Sequence, residues 1–84
     1  MANPDTISAL AQLIAEVCAV APSSVRPESK LLAFGLDSIR LLDLIMAVED
    51  RFGLQLSESD PELAAVETVT HLADLIERRR GAGV

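Results

Sequence analysis

One serine in this sequence stands where its hydroxyl could carry a substituent. The stretch Phe34-Gly35-Leu36-Asp37-Ser38-Ile39-Arg40 opens with a glycine, which reverses the backbone at little steric cost. It continues with an aspartate suited to capping a helix. Good helix formers then run to Phe52, and Gly53 is placed to end them. Ser38 therefore falls at the mouth of a helix, beside the positive end of its dipole. A phosphate attached there would meet unpaired N–H groups in a favourable field.

Catalysis by the chain itself is poorly supported. Serine nucleophiles need a base within hydrogen-bond reach and an oxyanion hole. The single histidine, His71, falls on the polar side of the last predicted helix, and Asp37 is a poor base for an alcohol. No glycine loop of the Walker or dinucleotide type occurs. Cys18 is the single cysteine, so neither an internal disulfide nor a cysteine zinc cluster is available. It sits at core spacing, where a free cysteine behaves as a small hydrophobe.

The serine helix has two unlike faces. At about 100° per residue, Leu41, Leu44, Ile45, Val48 and Phe52 form one buried stripe. Ile39, Leu42 and Met46 fall on the other side, among Asp43 and Asp50. A small domain cannot bury both faces in one core, so the second set is expected at the surface. Exposed apolar residues rimmed by acids mark a docking site; for Leu42, ordinary flank packing is the competing reading.

The remaining elements must position that helix. A first helix is expected over 3–20, capped by Asn3, Asp5 or Thr6, with Pro4 in its first turn and Ile7, Leu10, Ala11, Ile14, Val17 and Cys18 as a core stripe. Residues 21–36 read as a long loop. Val25, Leu31, Leu32 and Phe34 are expected to pin it, with Leu31 and Leu32 on a helical turn begun at Glu28. Leu54-Gln55-Leu56 lacks a partner strand and reads as extended chain. A short third helix is expected over 61–65, capped by Ser59 or Asp60. A final helix is capped by Thr68, with Val69, Leu72, Ala73 and Ile76 in the core and Leu75 flanking. Arg78, Arg79 and Arg80 close it as a solvated end that suits the helix dipole, and Gly81 stops it. The fold class is all-α: a small four-helix bundle of three longer helices and one short one, with a long first loop.

The chain has 84 residues and net charge −6, with Phe34 and Phe52 as its only aromatic residues besides His71. That is one domain over 1–84, with 1–2 and 81–84 expected as flexible ends. The charge and the lack of stacking rings argue against nucleic acid and favour basic protein partners. No apolar run is long enough to span a bilayer, and Met1-Ala2-Asn3-Pro4-Asp5 does not read as a signal peptide. The cytoplasm is the expected compartment, and a monomer suffices.

Gly35-Leu36-Asp37-Ser38-Ile39 resembles the Gly-x-Asp-Ser-Leu/Ile motif of acyl and peptidyl carrier proteins. The resemblance extends over the chain: first helix, long loop, a serine helix ending in Glu49-Asp50-Arg51-Phe52-Gly53, a short acidic segment and a last helix after Val66-Glu67-Thr68-Val69. It implies that Ser38 receives 4′-phosphopantetheine from coenzyme A, with Asp37 and Gly35 framing it. The arm's thiol, rather than Cys18, would hold acyl or aminoacyl intermediates as thioesters. Implied partners are a phosphopantetheinyl transferase, an acyl- or aminoacyl-loading enzyme and downstream biosynthetic enzymes. They would read Ile39, Leu42 and Met46 as apolar contacts, with Asp37, Asp43, Glu49 and Asp50 attracting basic patches. A small core need not enclose the cargo. Fatty-acid carriers typically have an acid just after Asp-Ser-Leu, whereas this chain has Arg40. Asp-Ser-Ile followed by a basic residue is similar to carriers of nonribosomal peptide assembly. The segment Met46-Ala47-Val48-Glu49-Asp50-Arg51-Phe52 looks more like the carriers of fatty-acid and polyketide synthesis. The expectation is a carrier of a dedicated pathway, with the housekeeping fatty-acid carrier and a non-covalent helical interaction module as alternatives.

Overall fold

The first helix begins where its sequence provides a cap. Asn3 accepts the Asp5 N–H on its side-chain oxygen at 2.8 Å, Pro4 occupies the first turn, and α1 runs over Pro4–Cys18. The structure is a computed structural model that describes residues 3–56 and 60–82, with the backbone alone at 38, 81 and 82. The remaining helices are α2 (Ser38–Phe52), α3 (Pro61–Ala64) and α4 (Val69–Ala82). Among the described residues there is no strand beyond one isolated antiparallel bridge, Lys30 with Thr68. The expected all-α bundle is therefore the observed fold.

α1 packs against both α2 and α4, and α3 packs against α4. The common core is aliphatic: Leu10 and Ile14 of α1, Leu44 and Val48 of α2, and Val69, Leu75 and Ile76 of α4 are fully buried. Each helix supplies residues at three- and four-residue spacing, which places them on one stripe. α1 ends two residues earlier than expected. Ala19 turns left-handed at φ 56°, and the N–H of Val20 closes on the Ala15 carbonyl at 3.0 Å. A non-glycine residue in this conformation carries a steric cost, and no glycine marks the reversal in the sequence.

Two short 3₁₀ turns, Pro22–Ser24 and Leu31–Phe34, give the long loop its shape. Its second half is stitched to the start of α4. Leu31 N–H donates to the Glu67 carbonyl at 2.9 Å, Val69 N–H to that of Ser29 at 3.0 Å, and Thr70 Oγ1 to that of Pro27 at 2.8 Å. The helical turn therefore begins at Leu31 and not at Glu28. Val25 and Leu31 are buried and Phe34 is half-buried, as expected of pins, but Leu32 is 83% exposed. Successive residues of a 3₁₀ turn point about 120° apart, so only one of the adjacent leucines can face inward.

The last helix departs from expectation in three respects. Leu75 is fully buried rather than flanking, in a helix that packs against both α1 and α3. Gly81 does not stop the helix, which continues to Ala82. Of the segments expected to be flexible, residues 1–2 and 83–84 lie outside the described residues. The arginines are not merely solvated. Arg79 pairs with Asp60 and Glu62, Arg78 with Glu62 at 2.8 Å, and the Arg80 guanidinium lies 5.6 Å from the Phe52 ring centre. Asp60 caps α3 by accepting the Glu62 N–H at 2.9 Å; the other proposed cap, Ser59, lies outside the described residues. Thr68 caps α4 through the His71 N–H at 3.1 Å. An unforeseen tie joins the ends of the chain: Glu77 accepts the Asn3 N–H at 2.8 Å.

The adjacent leucines of the loop give a direct test of this packing. Leu31→Ala is expected to cost about 2–3 kcal/mol by creating a void, and Leu32→Ala less than about 0.5 kcal/mol. Urea denaturation of the two variants measures the difference.

Candidate functional site

The turn into α2 is built from Gly35 and Asp37. Gly35 adopts φ 71°, and its N–H closes the preceding 3₁₀ turn on the Leu32 carbonyl at 3.2 Å. A side chain would meet open space there but would strain the backbone. Asp37 then does two things. Its carboxylate accepts the Arg40 N–H at 2.9 Å, and its carbonyl accepts the Leu41 N–H at 2.8 Å, the first bond of the helical ladder. Ser38 is the first residue of the helix. The N–H groups of Ser38 and Ile39 precede the ladder and so have no acceptor within the helix.

The two faces of α2 separate as expected. Leu44, Ile45 and Val48 are buried, with Leu41 and Phe52 half-buried beside them. On the outer face Ile39 is 72% exposed, Met46 65% and Leu42 41%. Asp37, Asp43 and Asp50 are exposed around them. Glu49 is half-buried, and one of its oxygens accepts the Leu56 N–H at 3.0 Å, tethering the chain that leaves α2. Arg40 is exposed, and no ion pair to it forms among the described residues. Cys18 is buried, and burial pushes its thiol pKa up against a smaller opposing pull from Arg40. A thiol in that state is a poor nucleophile. His71 is exposed, and no cluster of metal-ligating side chains occurs among the described residues.

One feature was missed in the sequence. An apolar cavity of about 320 Å³ lies on the inner side of α2. Leu41, Leu44, Ile45 and Val48 line it from α2, Leu63 from α3 and Leu72 from α4. Leu36, two residues before Ser38, also lines it, so the cavity reaches the serine end of the helix. The pattern that marks these residues as core also describes the wall of a cavity, and periodicity cannot tell one from the other.

A family model described as phosphopantetheine attachment site matches residues 8–76. The chain belongs to the acyl carrier protein family. It is 32% identical over 66 residues to an acyl carrier protein of Campylobacter hominis, covering 75% of this chain and 84% of that one. It is 32% identical over 77 residues to the chloroplastic acyl carrier protein 4 of Arabidopsis thaliana, covering 90% of this chain. It spans only 55% of that relative's length. It is also 36% identical over 73 residues to the orsellinic acid synthase of Beauveria bassiana, covering 86% of this chain but 3% of that protein. The crystal structure of an acyl carrier protein from Thermotoga maritima superposes with a TM-score of 0.61 at 26% identity, covering 87% of this chain and 92% of that one.

Proteins of this family carry covalently attached 4′-phosphopantetheine, and the turn into α2 fits such a group. Two helix N–H groups stand ahead of the ladder, the flanking Asp37, Ile39 and Arg40 are exposed, and Gly35 leaves open space beside them. Removing the cap tests how far this geometry depends on one carboxylate. Asp37→Ala is expected to cost about 1 kcal/mol and Asp37→Asn only a few tenths, read from thermal unfolding followed by far-ultraviolet circular dichroism.

Proposed function

We propose that this chain is a carrier whose 4′-phosphopantetheine arm is attached through Ser38, and that it presents acyl intermediates to enzymes of a polyketide, nonribosomal peptide or related dedicated pathway. The observation that carries the reading is Ser38 at the first position of α2, between the left-handed turn at Gly35 and the helix ladder. When bound, the arm supplies a thiol on which cargo is held as a thioester. The protein's own contribution is positional. Asp37 fixes the start of the helix, the unpaired N–H groups favour an anionic substituent, and the outer face of α2 offers a surface for partner enzymes. The transferase supplies the activation that Ser38 lacks, so the chain needs no general base. The apolar cavity on the inner side of α2 favours an aliphatic cargo over a charged aminoacyl one, since an unpaired charge there would be costly to desolvate.

Arg40 supports the choice of pathway. It is an exposed cation at the edge of a stripe otherwise rimmed by acids. A partner with a uniformly basic docking patch would meet repulsion at that point, whereas one with a carboxylate opposite Arg40 would be favoured. The housekeeping fatty-acid carrier, with an acid at this position, is the alternative pathway reading. A non-covalent helical module sharing the same docking face is the alternative of another class.

Intact mass after incubation with coenzyme A and a broad-specificity phosphopantetheinyl transferase separates the classes. Wild type is expected to gain the mass of the arm and Ser38→Ala to gain nothing; an unmodified wild type favours the interaction module. Docking is tested on the modified form with a fatty-acid ketosynthase. Arg40→Glu is expected to lower its KM by about threefold to tenfold at low salt, and Asp43→Lys to raise it by a similar factor. An effect that persists unchanged at high salt would contradict the electrostatic account.

A further inference from the structure

α2 carries exposed charges of both signs, and the two signs are kept apart. At about 100° per residue, Asp43 and Asp50 fall within about 20° of each other around the helix axis, beside Ile39 and Met46. Arg40 and Arg51 also fall within about 20° of each other, on a strip about 80° further round. Ala47, small and half-buried, lies between the two arginines along the helix, so no bulky side chain interrupts that strip. All four charged residues are exposed, and none of them enters an ion pair among the described residues.

Helix stability does not explain the two arginines. Arg51 lies in the last turn of α2, where a cation suits the dipole, but Arg40 lies in the first turn and opposes it. The Ser38 position does not explain Arg40 either, because residues two apart on a helix do not face each other. The Arg40 charge acts on the Cys18 thiol, which places this strip along the α1 edge of α2. The Arg51 guanidinium rests 5.5 Å from the Phe52 ring centre, and Arg80 of α4 reaches the same ring at 5.6 Å. The opposite flank is already committed to the fold, since Glu49 accepts the Leu56 N–H there.

We propose that partner enzymes read two parallel charged strips on α2, and that beside basic groups for Asp43 and Asp50 they carry two carboxylates about 16 Å apart for Arg40 and Arg51. This rests on the reading of the outer face of α2 as the docking surface. The partner surface is thus an apolar patch, then a basic row, then an acidic pair. Turned end for end, such a surface would set its acids toward Glu49 and its apolar patch against the arginines. The order of the strips therefore also fixes which end of the partner meets the Ser38 end of α2. At about 0.15 M salt, charges more than about 8 Å away are largely screened. The nearby arginines, and not the net charge of −6, then decide which group is favoured at that strip.

Two designed helical peptides test this on the intact unmodified chain. Both carry leucines for the apolar strip and lysines for Asp43 and Asp50. At two further positions, eleven residues apart, one carries glutamate and the other lysine. A merely solvated strip on a chain of net charge −6 would favour the lysine peptide. Carboxylate binding at the arginines reverses that order. The glutamate peptide is expected to bind about fivefold more tightly by fluorescence anisotropy at physiological salt, and to shift the amides of Arg40, Ala47 and Arg51 in heteronuclear NMR spectra. Arg40→Gln combined with Arg51→Gln is expected to return the preference to the lysine peptide. Arg26→Gln combined with Lys30→Gln removes the same charge from exposed loop positions and is expected to leave the glutamate preference in place. Equal or tighter binding of the lysine peptide by wild type, a glutamate preference that survives the α2 substitutions, or an equal loss in the loop variant overturns the proposal. None of these measurements requires an arm on Ser38, so their failure is distinct from failure of the carrier assignment.

Discussion

The structure depends on α2 being buried along one side only. Leu44, Ile45 and Val48 face a core shared with α1 and α4, and this burial holds the helix in place without using its outer face or its N-terminus. Each such side chain contributes roughly 1.5–3 kcal/mol relative to exposure, so the three together outweigh the single cap at Asp37. Packing therefore positions the helix, and the cap decides where it starts. A carrier needs that division, because a cofactor arm and a succession of partners must reach one end of an element that cannot itself move away.

The same division explains what could be read in the sequence. A helix with apolar residues at three- and four-residue spacing on one side, and Ile39, Leu42 and Met46 among acids on the other, declares both its core and its surface. Gly35, Asp37 and Gly53 mark its ends through local chemistry, and the structure puts a left-handed turn, a side-chain cap and a left-handed terminus at those positions. The serine and its frame were legible because all the interactions that shape them lie within a few residues.

Features set by distant residues were not legible. Leu31 and Leu32 are equally apolar, and only pairing of the loop with residues 67–70 decides which one turns inward. Arg79 reads as a dipole partner until α3 is folded beside it, because Asp60 lies 19 residues away. Glu77 accepts the N–H of Asn3, the cap residue of α1, from 74 residues away. The glycine at 81 carries no stop signal that outweighs the continuing helix. The cavity is the most instructive omission: its lining is indistinguishable from core by residue type, and volume is a property of how helices meet.

That cavity also bears on the uneven strength of the bundle. The long helices are fastened by many buried side chains, whereas α3 relies on Leu63 and a few charged groups. Elements held by few buried contacts are the ones that open locally at a fraction of the free energy that global unfolding needs. Under the proposed function, then, the weakest-held element is the one next to the space a cargo would occupy, while the helix bearing Ser38 is held along its inner stripe by Leu44, Ile45 and Val48. The inner side of α2 faces core and cavity, and the outer face that partners would read carries Ile39, Leu42 and Met46.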